Sequence, residues 1–164
     1  MRQIKAVALD VDGVLTDGTF WWGANGEELK RFSFADVMGV SLGLRAGLVF
    51  ALITGEDSPL VDRFAAKMGI EDVYKSCKDK AGALRLFARR HDLELAEVCF
   101  MGDDVNDLPA LALAGLKAAP ANAHECVRKC ADLVTTRAGG GGAVRELIDY
   151  LLVERSASAS EVAD

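Results

Sequence analysis

Cysteine, proline and aromatic residues are scarce in this chain, and long apolar runs are missing. Among 164 residues there are 4 cysteines and 3 prolines, and the aromatic share is 7%. The cysteines form no CxxC pair, so the pattern favours reduced thiols over a zinc site or a disulfide framework. No segment resembles a signal peptide or approaches the roughly 20 apolar residues of a membrane helix. We therefore expect a cytoplasmic protein without a membrane partner.

An excess of basic residues is also missing. The chain has 19 Lys and Arg against 25 Asp and Glu, which gives a net charge of −6. This balance argues against a nucleic-acid partner, although a few local cations and a metal ion could still bind a phosphorylated small molecule. The length fits one domain. We expect that domain over residues 1–154, with a β-hairpin insertion at 17–33 and a disordered tail at 155–164.

Short apolar runs alternate with helical segments along the chain. This alternation is typical of an α/β fold with a mainly parallel, Rossmann-like sheet flanked by helices. The predicted buried strands cover residues 4–9, 48–53, 72–74 and 97–101, with two shorter ones at 116–119 and 133–136. Asn25-Gly26 between two strand-like runs predicts the hairpin. We expect Asp36 to cap a helix that runs to Gly47, and the last helix to cover residues 143–154.

Acidic and polar side chains follow three of the predicted strands. Because the carboxyl ends of parallel strands meet at one edge of a sheet, these side chains are expected to converge on one crevice. Such convergence is unfavourable without a cation, and hard carboxylate oxygens with no nearby His or Cys suit Mg²⁺. The three segments are Asp10-Val11-Asp12-Gly13, Thr54-Gly55-Glu56-Asp57 and Gly102-Asp103-Asp104-Val105-Asn106-Asp107.

Asp10 and Asp12 are two residues apart, so both side chains would share one face if the strand geometry continued. One carboxylate can then act as a nucleophile and the other as a proton donor. Phosphoryl transfer also needs a cation for the phosphoryl oxygens. Lys80, at the start of a predicted helix, is the candidate, and the alternative is that it is a solvated surface lysine.

These segments, in their order along the chain, resemble the four motifs of the haloacid dehalogenase superfamily. The resemblance covers nearly the whole chain and implies a Rossmann-like core. More narrowly, the sequence resembles the 3-deoxy-D-manno-octulosonate (KDO) 8-phosphate phosphatases. The segments that carry the narrower resemblance are Thr16-Asp17-Gly18, Asn25-Gly26-Glu27-Glu28-Leu29-Lys30, Asn106-Asp107-Leu108-Pro109 and Gly139-Gly140-Gly141-Gly142-Ala143-Val144-Arg145-Glu146.

The resemblance implies a role for each motif residue. Asp10 would attack phosphorus and become an aspartyl phosphate, and Asp12 would protonate the leaving oxygen and then activate water. Mg²⁺ would be held by Asp10, the backbone carbonyl of Asp12 and Asp103. The supporting residues Asp104 and Asp107 would orient the metal waters and Lys80. Thr54 and Lys80 would hold the phosphoryl oxygens. The full set of predicted substrate-binding residues is Thr54, Gly55, Glu56, Lys67, Lys80 and Asn106.

Neither gap between the first three motifs leaves room for a cap domain of about 50 residues. The resemblance therefore implies an open, capless site that acts on a small sugar-acid phosphate, in a homotetramer. A hairpin bearing Phe20, Trp21 and Trp22 is a candidate subunit contact, and its alternative is packing within its own subunit. Residues 139–142 could let the C-terminal segment reach a neighbouring pocket or could form a plain flexible connector.

The sequence departs from the family pattern at the second motif, where Glu56 replaces an arginine suited to a sugar-acid carboxylate. Relatives that act on nine-carbon acids, such as 2-keto-3-deoxynononate (KDN) or N-acylneuraminate 9-phosphate, tend to have a glutamate there and a lysine at the place of Lys67. They often also have an arginine where this chain has Phe64. Eight- and nine-carbon substrates both remain open, and the more remote hypotheses are a phospho-accepting signalling domain and a regulatory domain.

Overall fold

The structure, a computed structural model, describes residues 3–161. A six-stranded parallel sheet forms the centre, and helices cover both of its faces. The strands are β1 (Ala6–Leu9), β2 (Trp21–Trp22), β3 (Glu28–Leu29), β4 (Val49–Ile53), β5 (Asp72–Tyr74), β6 (Val98–Met101), β7 (Leu116–Ala119) and β8 (Leu133–Val134). The helices are α1 (Phe34–Arg45), α2 (Pro59–Met68), α3 (Lys80–Arg90), α4 (Leu108–Leu111), α5 (Glu125–Cys130) and α6 (Ala143–Glu161).

The order of the sheet is β5-β4-β1-β6-β7-β8, and every neighbouring pair is parallel. β1 therefore lies between β4 and β6, and the three strands that precede the predicted acidic segments are side by side. This confirms the predicted Rossmann-like α/β fold. Between β1 and β4 the chain forms a hairpin and one helix, and between β4 and α3 it forms one helix and one strand, so a cap domain is absent from these connections.

Alternating strand residues build two apolar layers. Val7 and Leu9 of β1 pack into the layer that includes α1, α2 and α6, while Ala6 and Ala8 face α3, α4 and α5. Because both faces are covered, the central strands are apolar throughout rather than alternating.

The hairpin pairs β2 with β3 in antiparallel register, with Trp21 opposite Leu29 and Trp22 opposite Glu28. Each strand has two residues, shorter than the predicted runs at 19–22 and 28–32. Trp21 and Trp22 are 70% and 74% exposed, so these rings do not pack into the core of their own subunit. The hairpin lacks an apolar face against the sheet, which explains its short ladder.

Ser33, rather than Asp36, caps α1, because the Ser33 hydroxyl accepts the N–H of Ala35. Asp36 lies inside the first turn and is 1% exposed. Its carboxylate accepts the N–H groups of Gly142 and Arg145 at 3.2 and 3.0 Å, so it caps α6. The prediction that Asp36 caps the helix running toward Gly47 is therefore wrong, and Asp36 instead ties α1 to α6.

The last helix continues to Glu161, seven residues beyond the predicted end at Glu154. Residues 155–161, which were expected to belong to a disordered tail, are helical in the structure, while residues 162–164 lie outside the described part of the chain. The extension has a simple cause, since this stretch contains Ala and Ser but neither Gly nor Pro to end a helix. Within residues 3–161, no helix combines the length and apolar character needed to cross a membrane.

Residues 139–142 do not form a loose connector. The N–H of Gly139 donates to Asn122 Oδ1, and that of Gly140 donates to the carbonyl of Val14. A Cβ placed on Gly139 would lie 1.8 Å from the carbonyl oxygen of Gly13. The glycines thus allow this segment to pack directly on the loop that follows β1 in the same chain.

Candidate active site

The ends of β1, β4 and β6 open into one polar cavity of about 250 Å³. All predicted site residues except Asp107 and Lys67 line this cavity. Asp107 lies beneath it, where its carboxylate accepts a hydrogen bond from Lys80. The convergence predicted from the strand ends is therefore observed. The lining residues are Asp10, Asp12, Gly18, Thr54, Gly55, Glu56, Lys80, Asp103, Asp104 and Asn106.

Lys80 occupies the centre of this site. Its Nζ lies 2.9 Å from Oδ1 of Asp10 and 2.6 Å from Oδ1 of Asp107, and all three side chains are buried. Burial alone would lower the pKa of Lys80, but the charges of Asp10 and Asp107 outweigh this effect and raise it. Lys80 is the first residue of α3, whose N-cap is Asp79, and the alternative of a solvated surface lysine is wrong.

Three carboxylates meet beside Lys80. Ligand oxygens of Asp10, Asp103 and Asp107 all lie within 4.8 Å of one another. Burial, followed by the charge of Asp107, raises the pKa of Asp103 to about 6 and that of Asp10 well above its usual range. Lys80 supplies only one positive charge for these three carboxylates, so the group fits a divalent cation bound by oxygen ligands.

Asp107 differs from the other two because both of its oxygens already have donors. Oδ1 accepts Lys80, while Oδ2 accepts the backbone N–H groups of Asp103 and Asp104 at 2.9 and 3.2 Å. Asp104 in turn accepts the N–H of Val105 and starts a 3₁₀ turn. These bonds suit a residue that shapes the loop and holds Lys80, and they leave Asp10 and Asp103 as the better metal ligands.

Gly13 allows the loop after β1 to pass close to Asp103. Its φ is +91°, and a Cβ there would lie 1.9 Å from Oδ2 of Asp103. A side chain at this position would therefore be strained and would also occupy the carboxylate's place. On the other side of the cavity, the Thr54 hydroxyl accepts the N–H of Glu56, which orders the turn after β4.

The hairpin contributes a residue that the motif analysis did not assign. Lys30 Nζ lies 2.8 and 2.9 Å from the two carboxylate oxygens of Asp12. Its only signal in the sequence is its place in the segment Asn25–Lys30, which carries the family resemblance but indicates no role for this lysine. The contact joins residues 18 positions apart, so periodicity and strand ends could not reveal it.

Lys67 lies apart from the polar cavity. It lines a second cavity of about 360 Å³ near the last turn of α2, whereas Glu56 lies before the start of that helix. Since a helix rises 1.5 Å per residue, Lys67 lies about 12 Å along the axis from Pro59, the first residue of α2. The structure therefore does not bring Glu56 and Lys67 to one cavity. The second cavity is lined by Lys30, Phe32, Phe34, Val37, Leu60, Arg63, Phe64 and Lys67.

Comparison with known proteins decides the family. The haloacid dehalogenase-like hydrolases match residues 50–147. The 3-deoxy-D-manno-octulosonate 8-phosphate phosphatase of Escherichia coli K12 is 40% identical over 152 residues, which cover 93% of this chain and 81% of the relative. The chain belongs to the KDO 8-phosphate phosphatase family of haloacid dehalogenase-like hydrolases. The Haemophilus influenzae member of this phosphatase family is 36% identical over the same share of the chain and 84% of its own length.

Solved structures of KDO 8-phosphate phosphatases share the whole fold. That from Moraxella catarrhalis, in complex with magnesium, phosphate and KDO, has a TM-score of 0.92 at 35% identity and covers 99% of this chain and 93% of its own. The cobalt-bound Haemophilus influenzae phosphatase has a TM-score of 0.88 at 37% identity, with 92% and 88% covered. The family assignment identifies the chain as a phosphatase.

Proposed function

We propose that this chain is a Mg²⁺-dependent phosphatase that hydrolyses KDO 8-phosphate. The observation that carries the proposal is the buried ion pair of Lys80 with Asp10, set beside Asp103 at the carboxyl ends of β1 and β6. Such a site supplies a nucleophile, a fixed cation and oxygen ligands for a metal. The KDO complex of the Moraxella relative supports the choice of substrate.

In this proposal Asp10 attacks phosphorus and forms an aspartyl phosphate, which water then hydrolyses. Lys80 and Thr54 bind the phosphoryl oxygens, and Asp12 gives a proton to the leaving sugar oxygen before it takes one from the attacking water. Asp10, Asp103 and the backbone carbonyl of Asp12 would hold Mg²⁺. When bound, Mg²⁺ supplies positive charge that favours the ionised form of Asp10 and stabilises charge on the phosphoryl group.

The remaining polar residues at the cavity rim fit substrate binding. Gly55, Glu56 and Asn106 line the cavity, and Asp104 stands beside them. The nine-carbon alternative is not favoured, because Glu56 and Lys67 face different cavities and the relatives described above are KDO 8-phosphate phosphatases. The two non-enzymatic hypotheses are not favoured either, since the family consists of hydrolases.

The test is phosphate release from KDO 8-phosphate and KDN 9-phosphate, each with Mg²⁺ and with EDTA. We expect Mg²⁺-dependent turnover with a clear preference for the eight-carbon acid, and none from Asp10→Asn. Preference for the nine-carbon acid would replace the substrate and keep the chemistry. Retained turnover in Asp10→Asn would remove the nucleophile from the proposal.

We also propose a homotetramer in the cytoplasm. Exposed aromatic side chains on the hairpin and at the start of α1 support the assembly, since isolated two-stranded hairpins are marginal and interfaces are rich in aromatics. The four cysteines are free thiols, as a reducing compartment requires. Light scattering tests the assembly, with Trp21→Ser plus Trp22→Ser expected to dissociate it, and cell fractionation tests the location. The exposed aromatic residues are Phe20, Trp21, Trp22 and Phe34, and the aliphatic Leu29 of the hairpin is exposed as well.

A further inference from the structure

Lys30 holds both carboxylate oxygens of Asp12. The distances from Nζ are 2.8 Å to Oδ1 and 2.9 Å to Oδ2, so the ammonium group lies across the end of the carboxylate. The Lys30 side chain is 3% exposed, against 29% for that of Asp12. The cation is thus buried behind Asp12, while the carboxylate keeps an open side toward the cavity that it lines.

A second carboxylate, that of Glu28 in β3, lies close to Lys30, which directly follows that strand. Glu28 Oε1 lies 3.5 Å from Nζ and also accepts the hydroxyl of Ser58, the N-cap residue of α2, at 3.3 Å. The hairpin is therefore connected to the core domain on one side through Ser58 and on the other through Asp12. These contacts define where Nζ lies, and a buried ammonium with two carboxylate partners is costly to displace.

A lysine that merely anchored the hairpin could bind any carboxylate at the rim. Lys30 instead binds the carboxylate whose open side faces the substrate cavity, and it engages both oxygens rather than one. Two contacts restrict the rotation of the carboxylate and so fix the direction in which Asp12 can exchange a proton. Proton transfer depends strongly on this direction and on distances of about 2.6–3.2 Å.

We propose that Lys30 is a positioning residue that orients Asp12 for proton transfer, an inference that rests on the proposed phosphatase function. In the first step, the P–O bond to the sugar breaks and its electron pair goes to the sugar oxygen. That oxygen takes the proton from Asp12, while the new bond forms between phosphorus and Asp10. Lys30 remains protonated throughout and stabilises the carboxylate that Asp12 leaves behind.

The test compares two leaving groups. A sugar oxygen needs a proton as it departs, whereas the nitrophenolate of p-nitrophenyl phosphate is stable without one, so kcat/KM on the aryl ester is insensitive to the acid. We expect Lys30→Met to lower kcat/KM on KDO 8-phosphate by about 100-fold while it changes that on p-nitrophenyl phosphate little. Lys30→Arg should recover part of the loss, because its guanidinium can also donate to both oxygens.

A mutant cycle with Asp12 adds a second readout. If Lys30 acts through Asp12, Lys30→Met should have little further effect on kcat/KM in the Asp12→Asn background. The matched control is Lys5→Met. It removes a lysine ion pair with Glu97, at 2.7 Å, that lies at the amino-terminal ends of β1 and β6, away from the cavity. Lys30→Gln gives the same comparison if the methionine variant does not fold, as judged by circular dichroism.

Equal losses on both substrates, additivity with Asp12→Asn, or unchanged kinetics would each overturn the inference about Lys30. Failure of the proposed function looks different. Wild-type protein would then release no phosphate from either substrate, or Asp12→Asn itself would not distinguish the sugar phosphate from the aryl phosphate.

Discussion

Oδ1 of Asp107 lies 2.6 Å from Nζ of Lys80, and both side chains are shielded from solvent. The other oxygen of Asp107 accepts the backbone N–H groups of Asp103 and Asp104. One carboxylate therefore fixes the lysine that pairs with Asp10 and also the loop that carries Asp103. The positions of the Lys80 ammonium group and of the proposed metal ligand Asp103 therefore both depend on Asp107.

The first prediction concerns this shared dependence. Asp107→Asn should lower kcat by about 10²–10³-fold, because the amide cannot accept Lys80 and both loop N–H groups as a carboxylate does. It should also weaken Mg²⁺ binding, since the loop of Asp103 loses a charge-assisted bond. Steady-state kinetics with Mg²⁺ titration measures both effects. Asp62→Asn is the control, because Asp62 pairs with Lys75 on the surface. A variant with normal kcat would contradict this role.

The second prediction follows from the raised pKa of Asp103, about 6. A carboxyl group whose pKa is raised by folding stabilises the fold below its ordinary pKa, and this contribution is lost as pH rises through the raised value. Without metal, the protein should therefore lose stability between about pH 4 and pH 7 through this group. Mg²⁺ binds the ionised form, so its stabilising effect should grow over the same range.

Thermal unfolding with and without Mg²⁺ measures this coupling. The increase in Tm caused by Mg²⁺ should be larger at about pH 7.5 than at about pH 5. Asp103→Asn is the matched variant, and it should show little Mg²⁺ effect at either pH. An increase in wild-type Tm that is the same at both pH values would contradict the prediction.

The sequence was sufficient to predict the side chains that follow strand ends. Asp10, Thr54 and Asp103 each follow a continuous apolar run, and such runs form adjacent parallel strands whose ends meet. The burial of Lys80 was less evident from the residue type, because lysine is usually exposed. Its position at the start of α3 was the available signal.

Contacts between distant segments could not be predicted in this way. Lys30 reaches Asp12 from a hairpin, and Asp36 caps a helix 109 residues further along the chain. Both are polar groups whose local sequence offers a plausible alternative, a solvated strand for Lys30 and a local N-cap for Asp36. Tertiary packing determines which alternative is realised, and the local sequence pattern carries no information about that packing.

The third prediction concerns the glycines that support the loop after β1. Gly139→Ala should reduce both stability and kcat, because its Cβ would lie 1.8 Å from the carbonyl oxygen of Gly13 and would push that loop away from Asp103. Gly141→Ala is the control in the same segment, since the nearest atom to its Cβ is the carbonyl oxygen of Ala138 at 3.2 Å. Tm and kcat of the two variants give the comparison. Equal changes of Tm and kcat in the two variants would contradict the prediction.

The fourth prediction concerns Asp36 and the connection of α1 to α6. The Asp36 carboxylate accepts the N–H groups of Gly142 and Arg145, but burial still raises its pKa. Burial of the ionised carboxylate is therefore unfavourable. Asp36→Ala should still lower the free energy of unfolding by about 2 kcal/mol, because it leaves buried N–H donors without an acceptor. Asp36→Asn, which keeps one acceptor oxygen, should lose less.

Urea unfolding provides the measurement, and Ser33→Ala is the matched control. Ser33 caps α1 through its hydroxyl, but this cap is exposed, so water can replace the lost acceptor and the loss should be about 1 kcal/mol or less. Because the bonds of Asp36 begin at the end of segment 139–142, Asp36→Ala should also lower kcat, whereas Ser33→Ala should not. If the two variants lose equal stability and keep full activity, the buried cap has no connection to the catalytic loop.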